Sequence, residues 1–422
     1  MPDKRLVLRN VTYFDAIHGK MEADKSIVLA NGKIEWIGDS SSFDREENDR
    51  VLDLDGKYAL PGLIDCHVHL EAATALNRER VYMTTPTFYY GYLALKHAQD
   101  HLRAGFTTLR DCGGEKWGSS LKKAITEGLY KGPRILVAQY GISQYGNQDM
   151  MLPNELLDAL SKNRELSTPS GVDGVTQAVR DRVIVGSDFI KTFTTGGILH
   201  GVKSKLDKSL FNEDELRAMV REAHRNNMHV ASHAHGDSGI RLAVDTGIDT
   251  IEHGSMVSEE TAEAMIEKGT YLVPTHRAYA ARHDSKVMSG LEPEVVTKQD
   301  EVVRMMLDCH RVAFEKGVRF ALGTDAADES APHGTSAKEI ALMMTEVGMS
   351  AVQALQCATI EAARAIKLGA EIGSIETGKA GDVIVVNSNP LEDVTVLQDL
   401  ANIEYVIKDA SIVAQKGNLV PP

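Results

Sequence analysis

The sequence predicts an α/β protein, a (β/α)8 TIM barrel joined to a small β-sandwich that is built from both chain ends. From Leu63 onward, short apolar runs alternate with longer amphipathic segments, which is the pattern of βα units around a parallel sheet. The segments before and after this stretch contain short strand patterns with hairpin turns instead. A chain of 422 residues is long enough for a barrel of roughly 250 residues with insertions, plus a second, smaller unit.

The two chain ends share the strand-and-turn pattern. Near the start, LVLRNVTYF and SIVLANGKIEWIG read as strands, with turn signals at Asn31-Gly32 and Asp55-Gly56. The C-terminal end returns to this pattern with GDVIVVNSN and IEYVIKDASIVAQKG. We therefore predict a composite β-sandwich from residues 1–60 and 372–422, and a barrel from residues 61–371.

Eight candidate strands lie within the predicted barrel, and most of them end in Gly, His, Asp or Thr. In chain order they are LIDCHVHL, FTTLRDCG, RILVAQYG, FIKTFTTGG, HVASHAHG, TIEHGS, TYLVPTH and RFALGTDA. Because barrel chemistry lies at the carboxyl ends of the strands, these polar ends predict a functional site. Helical patterns lie between the strands, such as EDELRAMVREAHRNN, which begins near Glu213.

The composition is that of an ordinary soluble protein, with 43% hydrophobic and 25% charged residues. The start, MPDKRLVLRN, carries charges where a secretory signal would need an apolar core, and no window approaches the roughly 20 apolar residues of a membrane span. We expect a cytoplasmic protein without a membrane partner. The net charge of −14 argues against nucleic acid as a partner and favours a small-molecule substrate.

The four cysteines show no CxxC or zinc-ribbon spacing. We therefore expect free, buried thiols in a reducing compartment, neither disulfides nor a thiolate metal site.

Histidines at the strand ends predict a metal centre. His67 and His69 end the first barrel strand, and the period of two in a strand turns both side chains to one side, where both can reach one metal. Such a pair could also be ordinary polar residues, but His233 and His253 end the fifth and sixth strands and Asp325 ends the eighth. These nitrogen and oxygen ligands suit Zn, and also Mn, Fe or Co.

Lys191 ends the fourth strand, in FIKTFTTGG, where its side chain should point into the barrel. An ammonium group at that place would repel cations. The amine can instead react with CO2 and form a carbamate, an anion that bridges two metals. Without the histidines, a barrel lysine paired with a carboxylate would be the simpler interpretation.

The motifs PGLIDCHVH, FIKTFTTGG, HAHG, TIEHGS and LGTDA, in this order, resemble those of the amidohydrolase superfamily over essentially the whole sequence. The order of ligands is similar to that of the binuclear subtype, and IEHG with HAHG to its imidazolonepropionase-like branch. That branch includes Xaa-Pro and Xaa-Arg dipeptidases and ochratoxin-degrading amidases. The resemblance implies a C–N hydrolase that acts on a dipeptide or an N-acyl amino acid, and a homo-oligomer.

The resemblance also implies roles for the ligands. His67, His69 and Asp325 would hold the more buried of two divalent metals, most simply Zn. His233 and His253 would hold the other, with carboxylated Lys191 and a hydroxide bridging the pair. Asp325 would take the proton of the hydroxide and pass it to the leaving nitrogen.

The substrate contacts are less defined. His235 shares the strand face of His233, so we assign it to recognition of the substrate carbonyl or carboxylate. His276 ends the seventh strand and His333 lies in the loop after the eighth, and either could border the pocket or be structural. Arg110 is expected to pair with an acidic neighbour inside the barrel.

The loop after the third strand, GISQYGNQDMM, lacks the histidine that dipeptidase-like relatives tend to carry there. Tyr145, Asn147 or Gln148 could replace it at the substrate carbonyl, so the loop leaves open a different acyl or amine group. Hydrolysis of a urea or carbamate xenobiotic is therefore the alternative activity, and a pocket without a cationic anchor for a carboxylate would favour it. An inactive structural relative is a different class, against which the presence of all six ligands argues.

Overall fold

The structure is a computed structural model that describes residues 5–72, 85–86, 88–113, 117–144, 168–198, 204–280, 293–327 and 331–421. Seventeen strands lie in these residues. They are β1 Leu6–Asp15, β2 Lys20–Ala30, β3 Lys33–Asp39, β4 Arg50–Asp53, β5 Tyr58–Pro61, β6 Leu63–Val68, β7 Phe106–Asp111, β8 Arg134–Val137, β9 Ile190–Phe193, β10 Val230–Ala234, β11 Thr250–His253, β12 Tyr271–Val273, β13 Arg319–Phe320, β14 Val383–Val386, β15 Ile403–Lys408, β16 Ser411–Gln415 and β17 Asn418–Leu419.

Strands from both chain ends join in one nine-stranded sheet, in the order β17-β16-β15-β14-β5-β1-β2-β3, with β4 paired to β1. The junction between the two ends is the antiparallel pair β5 and β14. Apolar side chains of the sheet form their own core, in which Leu8, Ile27, Leu29, Val385 and Ile407 are fully buried. The ends of the chain therefore fold against each other, as expected from their shared pattern, whereas the division into a separate two-sheet sandwich stays a prediction.

The eight strands predicted for the barrel are all present, and they pair in parallel within two sheets. One sheet has the order β6-β7-β8 and the other β13-β12-β11-β10-β9. Single parallel bridges connect the sheets at both junctions, between Ile142 and Thr192 and between Val68 and Ala326. The carboxyl ends of the eight strands consequently lie on one side of the sheets.

Eleven α-helices lie in the described residues. They are α1 Phe88–Arg103, α2 Trp117–Thr126, α3 Gly171–Ile184, α4 Glu213–Arg225, α5 Asp237–Thr246, α6 Glu259–Lys268, α7 His276–Ala280, α8 Pro293–Lys316, α9 Ala337–Leu342, α10 Ala351–Cys357 and α11 Ile360–Ala365. Short turns of other helix types lie at Ser40–Ser42, Met343–Val347, Val394–Gln398 and Leu400–Asn402.

Helix α4 begins where the sequence predicts it. The side chain of Asn212 accepts a hydrogen bond from the backbone of Glu215, and the Glu215 side chain accepts one from the backbone of Asn212. This reciprocal capping box satisfies two amides that a helix start otherwise leaves without partners. Leu216, Met219 and Val220 then turn the apolar face of the helix into the core.

All four cysteines are free, as predicted, and Cys66, Cys112 and Cys357 are buried, but Cys309 is only partly buried, contrary to the prediction. Among the helices that the structure describes, none combines the length and the apolar character that crossing a membrane requires.

Candidate metal centre

The carboxyl ends of the parallel strands bring the four predicted histidine ligands together. The ring centroids of His67 and His69 lie 5.3 Å apart, and those of His67 and His253 lie 5.1 Å apart. The rings of His233 and His253 are separated by 4.6 Å. Imidazoles from β6, β10 and β11 thus form one cluster.

Asp325 and Lys191 border the same cluster. Asp325 Oδ1 lies 3.2 Å from His69 Nε2 and 3.6 Å from His67 Nε2. Lys191 Nζ lies 3.4 Å from His67 Nε2, and only 2% of the Lys191 residue surface is exposed. One ligand atom from each of His67, His69 and Asp325 lies within 4.8 Å of the others, a spacing that could hold a metal ion.

The outer ring nitrogens of two histidines have partners of their own. His69 Nδ1 lies 2.7 Å from the carbonyl oxygen of Gly113, so the nitrogen donates there. His253 Nδ1 lies 2.8 Å from Thr275 Oγ1. Metal-binding histidines commonly hold the second nitrogen in this way, because the contact fixes the ring orientation and leaves Nε2 for the ion. The donor set therefore fits divalent metals.

His67 is held in the same manner, by a buried carboxylate. Its Nδ1 lies 2.7 Å from Glu252 Oε2, and both residues are essentially inaccessible to solvent. Burial is the main cause that lowers the pKa of His67 to about 4, and the amine of unmodified Lys191 acts in the same direction. The neutral imidazole that results is the form that binds a metal.

Glu252 is in turn paired with Arg110. Arg110 Nη2 donates to Glu252 Oε1 at 2.7 Å, Nη1 donates to Thr250 Oγ1 at 3.0 Å and Nε donates to the carbonyl of Cys66 at 2.5 Å. Burial alone would raise the pKa of Glu252, but the adjacent Arg110 guanidinium holds it well below its usual range. The predicted pairing of Arg110 with an acidic neighbour is thereby confirmed.

Cys112 provides an alternative ligand group, since its thiol lies within 4.8 Å of ligand atoms of His67 and Glu252. Burial raises the pKa of the Cys112 thiol to about 12, whereas a metal binds the thiolate. The Glu252 carboxylate is also engaged by Arg110. The group of His67, His69 and Asp325 is therefore the better cation site.

His235 lies directly beside the predicted ligands. Its ring centroid is 4.6 Å from that of His233, and its ring stacks on His253 at 5.1 Å. His235 Nδ1 lies 2.8 Å from Ser255 Oγ, and the residue is fully buried. This location is compatible with the predicted contact to a substrate.

The other two histidines expected near the pocket belong to separate clusters. The ring of His333 stacks on His97 at 3.8 Å, and its Nδ1 lies 3.0 Å from His101 Nε2. His276 Nε2 lies 2.9 Å from His310 Nδ1. Substrate contacts by His276 and His333 stay predictions.

Three further predicted substrate contacts, Tyr145, Asn147 and Gln148, lie outside the described residues.

The sequence interpretation missed Glu252 and Thr275, which contact the predicted ligands His67 and His253. The one available signal for Glu252 was an acidic residue in a short strand whose four residues are all buried, directly before His253. Thr275 carried no comparable signal, because its role depends on a contact with His253, which ends the neighbouring strand β11.

Residues 58–420 match the profile of the amidohydrolase family, and the chain therefore belongs to that family. Amidohydrolases are hydrolases that act on C–N bonds and generally use divalent metal ions. Together with the cluster of histidines, Asp325 and Lys191, the family makes this chain a metal-dependent hydrolase.

Curated and solved relatives place the chain within the expected branch. Ochratoxinase from Aspergillus niger is 29% identical over 375 residues, which cover 85% of this chain and 76% of the relative. The structure of a Xaa-Pro dipeptidase with bound methionine is 33% identical, with a TM-score of 0.87, over 97% of this chain and 99% of the other. A prolidase complexed with N-methylphosphonate-L-proline is 31% identical, with a TM-score of 0.88, over 98% of this chain and 100% of the other.

The likeness to these solved structures identifies a TIM-barrel-type α/β fold. The predicted resemblance to the amidohydrolase superfamily, in the branch with Xaa-Pro dipeptidases and ochratoxinase, is confirmed.

Proposed function

We propose that this chain is a binuclear metal-dependent amidase that cleaves the C–N bond of a dipeptide or an N-acyl amino acid. The proposal includes the closure of the eight strands into a (β/α)8 barrel, with the site at their carboxyl ends. The observation that carries it is the cluster of His67, His69 and Asp325 ligand atoms within 4.8 Å of one another. The 33% identity with a Xaa-Pro dipeptidase across 97% of the chain supports the same conclusion.

The residues divide between two ions in the proposed centre. His67, His69 and Asp325 would hold one ion, and His233 and His253 would hold the other. When bound, two divalent cations, most simply Zn²⁺, supply a water acidified to near neutral pH and a polarised scissile carbonyl.

Lys191 would bridge the two ions as a carbamate. Its amine adds to the carbon of CO2 and loses a proton, which converts a cationic side chain into an anionic one. The distance of 3.4 Å from Lys191 Nζ to His67 Nε2 supports this role, because an ammonium so close to a ligand would oppose cation binding.

Asp325 would move the proton that the reaction requires. Its carboxylate accepts a proton from the attacking water and passes it to the amide nitrogen as the C–N bond breaks. Protonation matters because an amide anion is a poor leaving group. His235, stacked on His253, would hold the carbonyl or the carboxylate of the substrate.

A substrate with a free α-carboxylate is favoured by the relatives. One has methionine bound in its active site, and another is complexed with an L-proline derivative, and both ligands are amino acids or contain one. We therefore expect the product amine to be an amino acid.

The test is amine release from a panel of Xaa-Pro and Xaa-Arg dipeptides, N-acyl amino acids, aryl ureas and carbamates, with protein prepared in added Zn²⁺ and bicarbonate. Release from substrates with an α-carboxylate, and none from their amidated counterparts, is the expected result. Release from ureas or carbamates alone would instead assign the chain to xenobiotic hydrolysis. The Asp325→Asn variant, prepared in parallel, controls for contaminating peptidases.

A further inference from the structure

Two residues with unusual backbone conformations meet at the proposed centre. His253 has a φ of 71° and Thr275 a φ of 54°, both in the left-handed region that side chains rarely adopt. His253 Nδ1 and Thr275 Oγ1 lie 2.8 Å apart. Strained conformations of this kind persist only where surrounding contacts enforce them.

The contacts that enforce the left-handed conformation of Thr275 come from Glu339, which lies on α9. The backbone N–H of His276 donates to Glu339 Oε1 at 2.9 Å, and that of Arg277 donates to Oε2 at 2.6 Å. These are the two amides that follow Thr275 in the chain. Both carboxylate oxygens of Glu339 are therefore used to fix the turn in which Thr275 lies.

A second chain of contacts leads from Glu339 back to the metal centre. His276 Nδ1 lies 3.3 Å from Glu339 Oε1, and His276 Nε2 lies 2.9 Å from His310 Nδ1. His310 Nε2 lies 3.3 Å from the carbonyl oxygen of Gly254, the residue after His253. The His276 and His310 rings thus lie between this carboxylate and the backbone that follows His253.

The residues around Glu339 are shielded from solvent. Glu339, His310 and Thr275 are fully buried, and His276 is 1% exposed. A carboxylate is costly to remove from water unless its contacts compensate for the lost hydration. The compensation comes from the two backbone amides of the turn that contains Thr275, whose hydroxyl contacts His253.

We propose that Glu339 is a positioning residue that holds Thr275 in its left-handed conformation, so that Thr275 Oγ1 fixes the ring of His253 for one of the two metals. This inference rests on the proposed function, because it takes His253 as a metal ligand. It assigns a role to Glu339, which lies on helix α9 and not on a strand. It also places His276 among the contacts around Glu339.

The experiment measures the affinity of each ion separately. Zn²⁺-loaded protein is equilibrated with graded concentrations of a chelator, and the zinc retained is determined for the parent, Glu339→Gln, Thr275→Val, Thr275→Ser and the double variant Glu339→Gln/Thr275→Val. Glu222→Gln is the matched control, because Glu222 is also buried but pairs with Arg180 and Arg225.

We expect Glu339→Gln and Thr275→Val each to lower the affinity for one ion by roughly 10- to 100-fold, the loss typical of an outer-shell partner. The affinity for the other ion should be unchanged. Because Glu339 acts through Thr275, the double variant should bind zinc no more weakly than Thr275→Val alone. Thr275→Ser, which keeps the hydroxyl, and Glu222→Gln should match the parent.

Additive losses in the double variant, equal weakening of both ions or unchanged affinities in folded Glu339→Gln would each overturn the proposal. If Glu339→Gln does not fold, Thr275→Val tests the proposal by itself. Unchanged zinc affinity in that variant would show that the contact of Thr275 Oγ1 with His253 does not support metal binding. His253→Ala separates this inference from the function on which it rests. If that variant retains both ions, the proposed metal centre itself is wrong.

Discussion

Glu252 and Arg110 form an ion pair in which neither side chain is exposed to solvent, with Nη2 and Oε1 2.7 Å apart. The second oxygen of Glu252 contacts His67 Nδ1 at 2.7 Å. The pair therefore neutralises a charge inside the strands and at the same time orients a proposed metal ligand.

Removing one partner of this pair should cost much more stability than removing both. Arg110→Met leaves the Glu252 charge buried without its partner, and we expect the free energy of unfolding to fall by about 3–5 kcal/mol. The double variant Arg110→Met/Glu252→Gln should recover most of that loss. Urea unfolding of the single and double variants measures the difference, and equal destabilisation of the two would contradict the charge argument.

Zinc affinity should not recover together with stability in that double variant. A glutamine at position 252 is a weaker acceptor for His67 Nδ1, so zinc affinity should remain lower by roughly 10- to 100-fold. Chelator competition on the folded double variant measures this. Full zinc affinity would show that Glu252 serves the fold alone.

Lys191→Ala tests the carbamate. We expect the variant to retain fewer than two ions per chain and to lose more than about 100-fold in activity, beyond the loss typical of an outer-shell partner. A short carboxylic acid added at millimolar concentration should restore part of both, because its carboxylate can occupy the place of the bridge. Metal content and turnover are measured with and without the acid. Lys122→Ala is the control, because Lys122 on α2 pairs with Asp188, which lies just before β9.

Asp325→Asn tests the proton transfer. The amide keeps the size of the side chain but is not basic, so we expect a folded protein whose kcat falls by about 10²- to 10⁴-fold. Thermal unfolding monitored by circular dichroism should remain close to that of the parent. Wild-type turnover in this variant would remove Asp325 from its proposed role.

A charged cluster away from the site predicts a pH dependence of stability. Asp249 accepts from His224 Nε2 at 2.8 Å and from the backbone of Val230 at 2.8 Å, and Lys367 Nζ lies 2.9 Å from its other oxygen. Burial opposes the charge of Asp249, but the contacts with His224 and Lys367 hold its pKa well below the usual range. The hydrogen bond to Asp249 raises the pKa of His224.

The two shifts act at opposite ends of the pH range. The lowered pKa of Asp249 contributes stability above about pH 4, and that contribution is lost as the pH falls through the folded-state pKa. The raised pKa of His224 contributes stability below about pH 6.5, and that contribution is lost as the pH rises through its folded-state value. The stability difference between the parent and Asp249→Asn, measured by urea unfolding from pH 3 to 9, should therefore be largest near pH 5–6. A difference independent of pH would contradict this assignment.

The sequence predicted the eight parallel strands and the histidine cluster at their carboxyl ends, because both follow regular geometry. His67 and His69 could be placed on one side because strand residues alternate, and the order of polar strand ends located His233 and Lys191. The pairing of Arg110 with an acidic residue followed from the cost of a buried charge.

The residues that were missed lie where the alternation fails. The Glu252 side chain contacts Arg110 and His67. Because side chains alternate along a strand, the next residue, His253, would be expected on the opposite face of the sheet. His253 departs from strand geometry, with a φ of 71°, and its ring lies in the cluster. Likewise, the left-handed Thr275 directs His276 toward Glu339 and His310, which a count of strand positions cannot anticipate.

The pairing of β5 with β14 has a consequence for synthesis on the ribosome. Pro61 ends one partner and Val383 begins the other, so about 320 residues separate them. Until those residues have been made, the first strands expose an edge whose amides and carbonyls have no permanent neighbour, and such edges invite aggregation. Nascent chains arrested before Val383 should be cleaved within residues 5–61 by a protease that spares the finished protein. The sheet that β1 to β5 begin is thus completed only by β14 to β17, which are translated after β6 to β13.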